Sequence, residues 1–174
     1  MHKPLRPFMP PDPKGEFPFD VPVYLVNLFV AVSRLRDTET EKALRPLDLN
    51  LTRFRTLFVI WRMGDCVMSE LATVSATDRT SLTRAVDQLV AAGLVQRSEA
   101  ERDRRKVKLS LTDHGRAVVR QGVALVEAVN ATLLQAIPEE DQRTMVRGLL
   151  QMLDNLGATD EITRALGSRI PDAE

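Results

Sequence analysis

The chain has 174 residues, of which 44% are apolar and 28% charged, and its 24 basic and 24 acidic residues cancel. This composition is typical of a globular protein and excludes a chain that is disordered throughout. Its single cysteine, Cys66, excludes an intrachain disulfide framework and favours a reducing compartment. No apolar run approaches the ~20 residues that cross a bilayer, and the N-terminus lacks the apolar stretch of a secretory signal. We therefore expect a cytoplasmic protein with no membrane partner.

The charges are unevenly distributed along the chain although they cancel overall. Between residues 79 and 108 there are eight basic and four acidic residues, so this stretch carries +4 and the remainder carries −4. Such an asymmetry predicts a basic surface on an otherwise neutral body.

Residues 1–22 are predicted to form an extended arm, since seven of the ten prolines lie there. Proline lacks a backbone donor and disfavours helix in the residue before it. From Val23 the apolar residues recur at steps of three and four, which predicts a first helix within residues 23–50 that ends near Pro46.

The segment 51–111 is predicted to contain three helices and a hairpin. We expect Thr52 to cap the second helix, which Gly64 ends, and "SELATVSA" to form the third. Thr77 is predicted to cap the fourth helix, "DRTSLTRAVDQLVAA", and Gly93 to end it. The stretches "LVQR" and "KVKLSL" then predict two strands, with Val107, Leu109 and Leu111 on the buried side.

In residues 112–174, Thr112 is predicted to cap a long helix that reaches about Ala136. "PEED" is typical of the first turn of a last helix, whose apolar positions suit a partner helix: Val146, Leu149, Leu153 and Leu156. The predicted fold is mainly α with a small β-hairpin, a winged helix-turn-helix flanked by N- and C-terminal dimerisation helices.

The fourth helix and the hairpin together predict a nucleic-acid interface. At 100° per residue, Leu82, Val86 and Leu89 share the core face of the helix. Its opposite face carries Thr80, Ser81, Arg84, Asp87 and Gln88, with Thr83 at its margin. Of these residue types, arginine can pair with guanine, glutamine with adenine, and serine or threonine with bases or phosphates. The hairpin tip carries Arg102, Arg104, Arg105 and Lys106, which suit a narrow groove and phosphates. Asp103 among them can orient one guanidinium through paired hydrogen bonds.

Three motifs carry a resemblance to a known family. "LTRFRTLFVIW", "SELATVSATDRTSLTRAVDQLVAAGLVQR" and "DRRKVKLSLTDHG" together resemble the MarR (multiple antibiotic resistance regulator) family over roughly residues 51–115. The resemblance implies a homodimeric regulator that binds a pseudo-palindromic DNA operator, usually as a repressor, and is released by a small ligand. It implies DNA contacts by Thr83 and Arg84, with Thr80 and Ser81 nearby. It also implies a minor-groove contact by Arg105, which Asp103 braces.

The resemblance also suggests an effector, because many members of the family respond to aromatic carboxylates or phenols. The ligand commonly lies between the dimerisation helices and the DNA-binding lobe. We expect aromatic walls and polar anchors for it from five residues: Tyr24, Asn27, Phe58, Trp61 and Arg62.

Three other functions fit the sequence less well. A redox sensor that uses Cys66 is possible, but its apolar neighbours favour a buried, inert thiol. A winged helix that binds a protein instead of DNA is a second alternative. An enzyme is disfavoured, because one cysteine and two histidines cannot assemble a zinc site of four nitrogen and sulfur ligands and no phosphate-binding loop is present. We therefore expect neither a metal nor a cofactor.

Overall fold

The computed structural model describes residues 21–75, 78–100 and 103–158. The chain divides into two compact units, Met1–Thr38 and Glu39–Glu174. In the first unit, the described residues belong to helix α1 (Val21–Leu44), which contributes its last residues to the second unit. Apolar side chains of α1 are extensively exposed, among them Val26 (57%) and Phe29 (53%).

The second unit contains the remaining helices and a small sheet. After a 3₁₀ turn (Arg45–Leu47), the elements follow in the predicted order. They are α2 (Leu51–Met63), β1 (Cys66–Val67), α3 (Met68–Val74), α4 (Arg79–Ala91), β2 (Val95–Ala100), β3 (Asp103–Leu111), α5 (Asp113–Leu133) and α6 (Glu139–Asn155). The prediction of a mainly helical fold with a winged helix-turn-helix is confirmed.

The sheet has three antiparallel strands in the order β1-β3-β2, one more than predicted. The unpredicted strand β1 pairs with β3 through Cys66 opposite Leu109 and Val67 opposite Lys108. Two residues are too few to show the alternation of a strand. Cys66 and Val67 are recognised as a strand only because they pair with β3.

Two predicted helix caps are wrong, in each case because a neighbouring side chain accepts the hydrogen bond instead. The N-cap of α2 is Asn50, whose Oδ1 accepts from the backbone N–H of Arg53 at 2.8 Å, and not Thr52. The N-cap of α4 is Asp78, which accepts from Ser81, while Thr77 lies outside the described residues. Asparagine and aspartate are strong capping residues. Thr112 caps α5 as predicted.

The predicted helix ends are close to those observed. Gly64 follows α2 with a φ of 73° and Gly93 follows α4 with a φ of 69°, conformations that glycine adopts without strain. Helix α1 ends at Leu44, where the 3₁₀ turn that contains Pro46 follows. Helix α5 ends at Leu133, three residues before the predicted Ala136.

The core of the second unit forms where α2, α4 and the sheet meet. It is built from leucine, isoleucine and valine side chains with almost no exposure, including Leu57, Ile60, Leu71, Leu82 and Leu89. Leu109 and Leu111 of β3 are buried as predicted. Val107 is not, since it is 49% exposed and pairs with Glu99 beside the irregularity in the ladder near the wing tip.

Candidate nucleic-acid interface

Helix α4 is held by its apolar face and presents its polar face outward. Leu82, Val86 and Leu89 are fully buried and Ala85 nearly so, which places this face against α2 and β2. Burying each such leucine or valine contributes ~1.5–3 kcal/mol, so the orientation of α4 is strongly specified. Because the core fixes one face, the opposite face must point to solvent.

The exposed face of α4 carries the polar residues predicted to contact DNA. Thr80, Thr83, Arg84 and Gln88 are exposed and Ser81 is half-buried. The Thr83 hydroxyl donates to the carbonyl oxygen of Arg79 at 2.9 Å, which leaves its oxygen able to accept a further hydrogen bond. Thr80, Arg84 and Asp87 occupy positions i, i+4 and i+7 and form a stripe along the helix.

Arg84 lies at the centre of this stripe and remains available for a ligand. No hydrogen bond or ion pair joins its guanidinium to another residue within the described ranges 21–75, 78–100 and 103–158. A guanidinium presents five donors in a rigid fork that can pair with guanine or with phosphate oxygens. An exposed arginine without a protein partner on an otherwise anchored helix can therefore bind such acceptors without breaking an internal contact.

The N-terminus of α4 is closed by Asp78. Its Oδ1 accepts from the backbone N–H of Ser81 at 2.9 Å, and this hydrogen bond lowers the pKa of the Asp78 carboxyl. The carboxylate also lies at the positive end of the helix dipole, which favours its ionised form. Asp78 was not predicted as part of the site, although an aspartate before a helical pattern is a recognisable capping signal.

Strands β2 and β3 form the wing that follows α4. Four of the predicted wing residues, Asp103, Arg104, Arg105 and Lys106, lie on β3, but their side chains are outside the described part of the structure. Arg102 is likewise outside the described residues. The predicted brace between Asp103 and Arg105 therefore stays a prediction.

At the base of the wing, two of the basic residues are paired with acids. Arg97 of β2 donates from Nη2 to Oδ1 of Asp87 on α4 at 2.6 Å. Lys108 of β3 lies 2.6 Å from Oδ2 of Asp65, in the turn before β1. Because each of these cations already has a carboxylate partner, the excess positive charge of the stretch 79–108 belongs to Arg84, Arg79 and the wing tip. Sequence reasoning missed both pairs, since their members are far apart in the chain.

The residues predicted to bind an effector are divided between the two units. Tyr24 and Asn27 lie on α1 in the first unit, whereas Phe58, Trp61 and Arg62 lie on α2 in the second. The Phe58 and Trp61 ring centroids are 5.8 Å apart, and the Arg62 guanidinium carbon lies 6.0 Å from the Phe58 centroid. These three side chains thus form an aromatic and cationic cluster on one face of α2.

Phe54 extends this cluster and was not among the predicted residues. Its ring stacks on that of Phe58 with centroids 6.0 Å apart, but it is only 6% exposed and belongs to the core. The step of four residues from Phe54 to Phe58 was the signal in the sequence. Among the effector candidates on α2, Trp61 is 36% exposed and reaches the surface.

A small pocket of about 210 Å³ lies elsewhere, between α3 and the start of α4. It is lined by Met68, Ser69, Ala72 and Arg79, and it includes none of the predicted effector residues. It is smaller than typical pockets for drug-sized ligands.

Cys66 is buried in the core, with 3% of its surface exposed. Burial, together with the smaller effect of the negative charges of Glu70 and Asp65, raises the pKa of the thiol to about 11. At pH 7 only about one thiol in ten thousand would then be ionised. A thiol that stays protonated is a poor nucleophile, as expected for an inert core cysteine.

Metal-binding clusters and membrane-spanning helices are both absent from residues 21–75, 78–100 and 103–158. Within that part of the chain, no group of three or more His, Cys, Asp or Glu side chains is placed to hold a metal ion. The same residues include no helix that is both long and apolar enough to cross a membrane.

The helix-turn-helix, the exposed Arg84 on its second helix and the two-stranded wing are the features of a winged-helix protein of the DNA-binding class. The model of the MarR family matches residues 49–107. Wild-type MarR from E. coli, in its apo form, is 29% identical with a TM-score of 0.65, over 74% of this chain and 96% of that one. A mutant E. coli MarR complexed with operator DNA is 28% identical with a TM-score of 0.69, over 78% and 99%. BpsR of Bordetella bronchiseptica shares the fold at 22% identity and a TM-score of 0.66, over 74% and 98%.

Residues 49–107 thus match the MarR family, and the chain is similar in fold to E. coli MarR over 74–78% of its length. The resemblance drawn from the three motifs is thereby confirmed. MarR proteins are transcription regulators and not enzymes, which is consistent with the expectation of a non-enzymatic protein.

Proposed function

We propose that this protein is a ligand-responsive transcriptional regulator, acting as a repressor in the cytoplasm, that binds a pseudo-palindromic DNA operator as a homodimer. The observation that carries the proposal is Arg84, which is exposed and has no partner among the described residues, on a helix whose opposite face is buried in the core. In winged-helix proteins such a helix enters the major groove. The relative in E. coli was crystallised with operator DNA, which supports the same role for this chain.

In the proposed complex, α4 contacts the bases and the wing contacts the sugar-phosphate backbone of the DNA. Arg84 pairs with guanine, Gln88 with adenine, and Thr80, Ser81 and Thr83 bind bases or phosphates. The wing tip, with Arg102, Arg104, Arg105 and Lys106, lies over the minor groove, where Asp103 orients Arg105. Neutralising phosphates releases counterions and so provides affinity that does not depend on sequence.

The homodimer is supported by two apolar surfaces that the single chain leaves exposed. On α1 these include Val26, Phe29 and Leu35, and on α6 they include Met145 and Val146, each more than 45% exposed. Burial of apolar surface contributes ~25 cal/mol per Å², so a second copy that covers these helices is stabilised by their association. Two copies of α4 would then read half-sites about one helical turn apart.

The effector we propose is a small aromatic acid or phenol. The Phe58, Trp61 and Arg62 cluster offers ring faces for stacking and a guanidinium for a carboxylate. Tyr24 and Asn27 are proposed as further contacts. BpsR, which shares the fold, is regulated in its DNA binding by 6-hydroxynicotinic acid, a compound of this chemical class.

A salt titration of DNA binding separates this function from that of a protein-interaction module. Duplexes enriched by in vitro selection should bind with an affinity that falls on a log–log plot with a slope of about −0.9 for each phosphate neutralised. Footprinting should then show two protected half-sites. A protein that ignores every duplex even in dilute buffer would contradict DNA binding and favour the alternative.

The effector requires its own experiment. Calorimetry with a panel of aromatic acids should find at least one that binds and that lowers DNA affinity, and Arg62→Ala should weaken it. If no acid of the panel binds, the effector class is wrong while DNA binding stands. A regulator that responds to oxidants through Cys66 is the less favoured alternative, because the thiol is buried and protonated.

A further inference from the structure

We propose that Asp87 and Arg97 form a pair that sets DNA specificity, in which Asp87 holds Arg97 away from the DNA backbone and Arg97 neutralises Asp87. The inference rests on the proposed DNA-binding function and adds two residues to it. Neither Asp87 nor Arg97 was predicted to contact DNA. Their carboxylate and guanidinium are 2.6 Å apart, and they join the recognition helix α4 to strand β2 of the wing.

The position of Asp87 would cause repulsion of DNA phosphates if Arg97 did not neutralise its carboxylate. Asp87 follows Arg84 by three residues, so it lies on the same exposed face of α4. An unpaired carboxylate there would repel the phosphates of any duplex that Arg84 approaches. The charge-assisted hydrogen bond from Arg97 removes most of this repulsion.

The position of Arg97 explains why it can reach α4. Side chains alternate along a strand, so Arg97 lies on the same side of β2 as Val95, which is 2% exposed and packs toward the helices. Strand β2 lies at one edge of the sheet, and it packs against α4. The Arg97 side chain on this side therefore lies within reach of the Asp87 carboxylate on the helix, although it is still partly exposed to solvent.

The pair can affect specificity more than stability. Both side chains are about half exposed, at 43% and 55%, and ion pairs of this kind contribute little to folding. Paired with Asp87, however, Arg97 contributes little to sequence-independent attraction. Unpaired, it would add one phosphate contact on any DNA and so reduce the ratio of specific to non-specific affinity.

A double-mutant cycle tests the proposal. The duplexes are one enriched by in vitro selection with the wild-type protein and one of scrambled sequence. Asp87→Asn should strengthen binding to the scrambled duplex by ~3–10-fold and steepen its salt slope by about 0.9, because Arg97 gains a phosphate. Arg97→Gln should weaken binding to both duplexes by ~10-fold, because Asp87 is then unpaired. The double variant should return to within ~3-fold of the wild type, and Arg97→Lys, which keeps the charge, should retain most of the affinity.

Two controls accompany the cycle. Lys42→Gln removes one cation from the ion pair that Lys42 forms with Glu39 on α1, whose side chains are each 55% exposed, and should change neither affinity by more than ~2-fold. Thermal melts of all variants should coincide within a few degrees, which excludes unfolding as the cause.

The possible failures can be told apart. If the wild type binds neither duplex in dilute buffer, both the proposed function and this inference are wrong. If the wild type binds but Asp87→Asn weakens binding to the scrambled duplex, and this loss adds to that of Arg97→Gln in the double variant, Asp87 does not hold Arg97 away from DNA and the inference alone is wrong. If Asp87→Asn instead loses preference at a single base pair, Asp87 reads a base and the inference is again wrong.

Discussion

The first turn of α5 lies directly against the carbonyl group of Leu94, since a β-carbon on Gly115 would stand 2.0 Å from the Leu94 oxygen. Thr112 strengthens the same junction: its hydroxyl donates to the Gly93 carbonyl at 2.7 Å and accepts from the Gly115 N–H at 2.9 Å. The end of α4 and the start of α5 are therefore joined through backbone contacts. This accounts for the threonine and glycine in the motif "LTDHG".

Gly115→Ala should destabilise the protein by ~1–3 kcal/mol, because the added methyl must push the backbone of α5 away from Leu94. Gly148→Ala on α6 is the matched control. Its β-carbon would meet no atom within 4 Å, so the change should stabilise the protein by ~0.5–1 kcal/mol through helix propensity. Urea unfolding measures both, and a neutral or stabilising Gly115→Ala would show that the close contact is absent in solution.

Replacing the cap of α2 distinguishes the observed N-cap from the predicted one. Asn50→Ala removes the acceptor for the Arg53 N–H and should cost about 1 kcal/mol. Thr52→Ala removes a hydroxyl that does not cap the helix and should cost clearly less. Thermal or urea denaturation gives both values, and the reverse order would restore Thr52 as the cap.

Arg84→Ala should weaken binding to a selected operator by ~1–3 kcal/mol and relax the preference at one base pair. The reason is that a bidentate contact to guanine discriminates, whereas a phosphate contact does not. Arg120→Ala, on an exposed position of α5, serves as the control and should leave the preference unchanged. Competition binding against single-base variants of the operator provides the measurement. An equal loss on all sequences would make Arg84 a phosphate contact.

Cys66 should react slowly with a thiol reagent such as DTNB at pH 8, and rapidly once the protein is unfolded in urea. Burial, with a smaller contribution from the charges of Glu70 and Asp65, raises the pKa of its thiol to about 11 from the ordinary value of 9.0. Because the folded state disfavours the thiolate, the resulting stability is fully present below pH 9 and is lost as the pH rises toward 11. Urea midpoints measured across this range should fall for the wild type more than for Cys66→Ser. Fast native reaction at pH 8 would support the redox alternative.

Leu149→Glu on α6 should shift the protein from dimer to monomer, because it places a charge on an apolar surface that we propose is buried between copies. Gln151→Glu, two residues along the same helix at an exposed position, carries the same added charge and should leave the dimer intact. Sedimentation equilibrium measures both variants. A wild-type protein that is monomeric at micromolar concentration would contradict the proposed homodimer and, with it, the paired half-sites.

Much of the fold could be predicted because it is encoded in local patterns. The period of Leu82, Val86 and Leu89 identified the buried face of α4, and the exposed face followed from it. Gly64, Gly93 and Thr112 marked helix boundaries through their own backbone and capping preferences. The caps at Asn50 and Asp78 were missed because several capping residues lie within two positions of each other, and only the hydrogen bonds decide among them.

The sequence by itself determined the family, the order of the elements and the polar face of the recognition helix, because periodicity, caps and motifs act over a few residues. Only the tertiary structure decided which charges are paired and where backbones touch. Asp87 meets Arg97, Asp65 meets Lys108, and Gly115 meets Leu94 across ten to forty-three positions of the chain. Such contacts depend on how helices and strands pack in three dimensions, and local sequence preferences carry no information about the resulting distances.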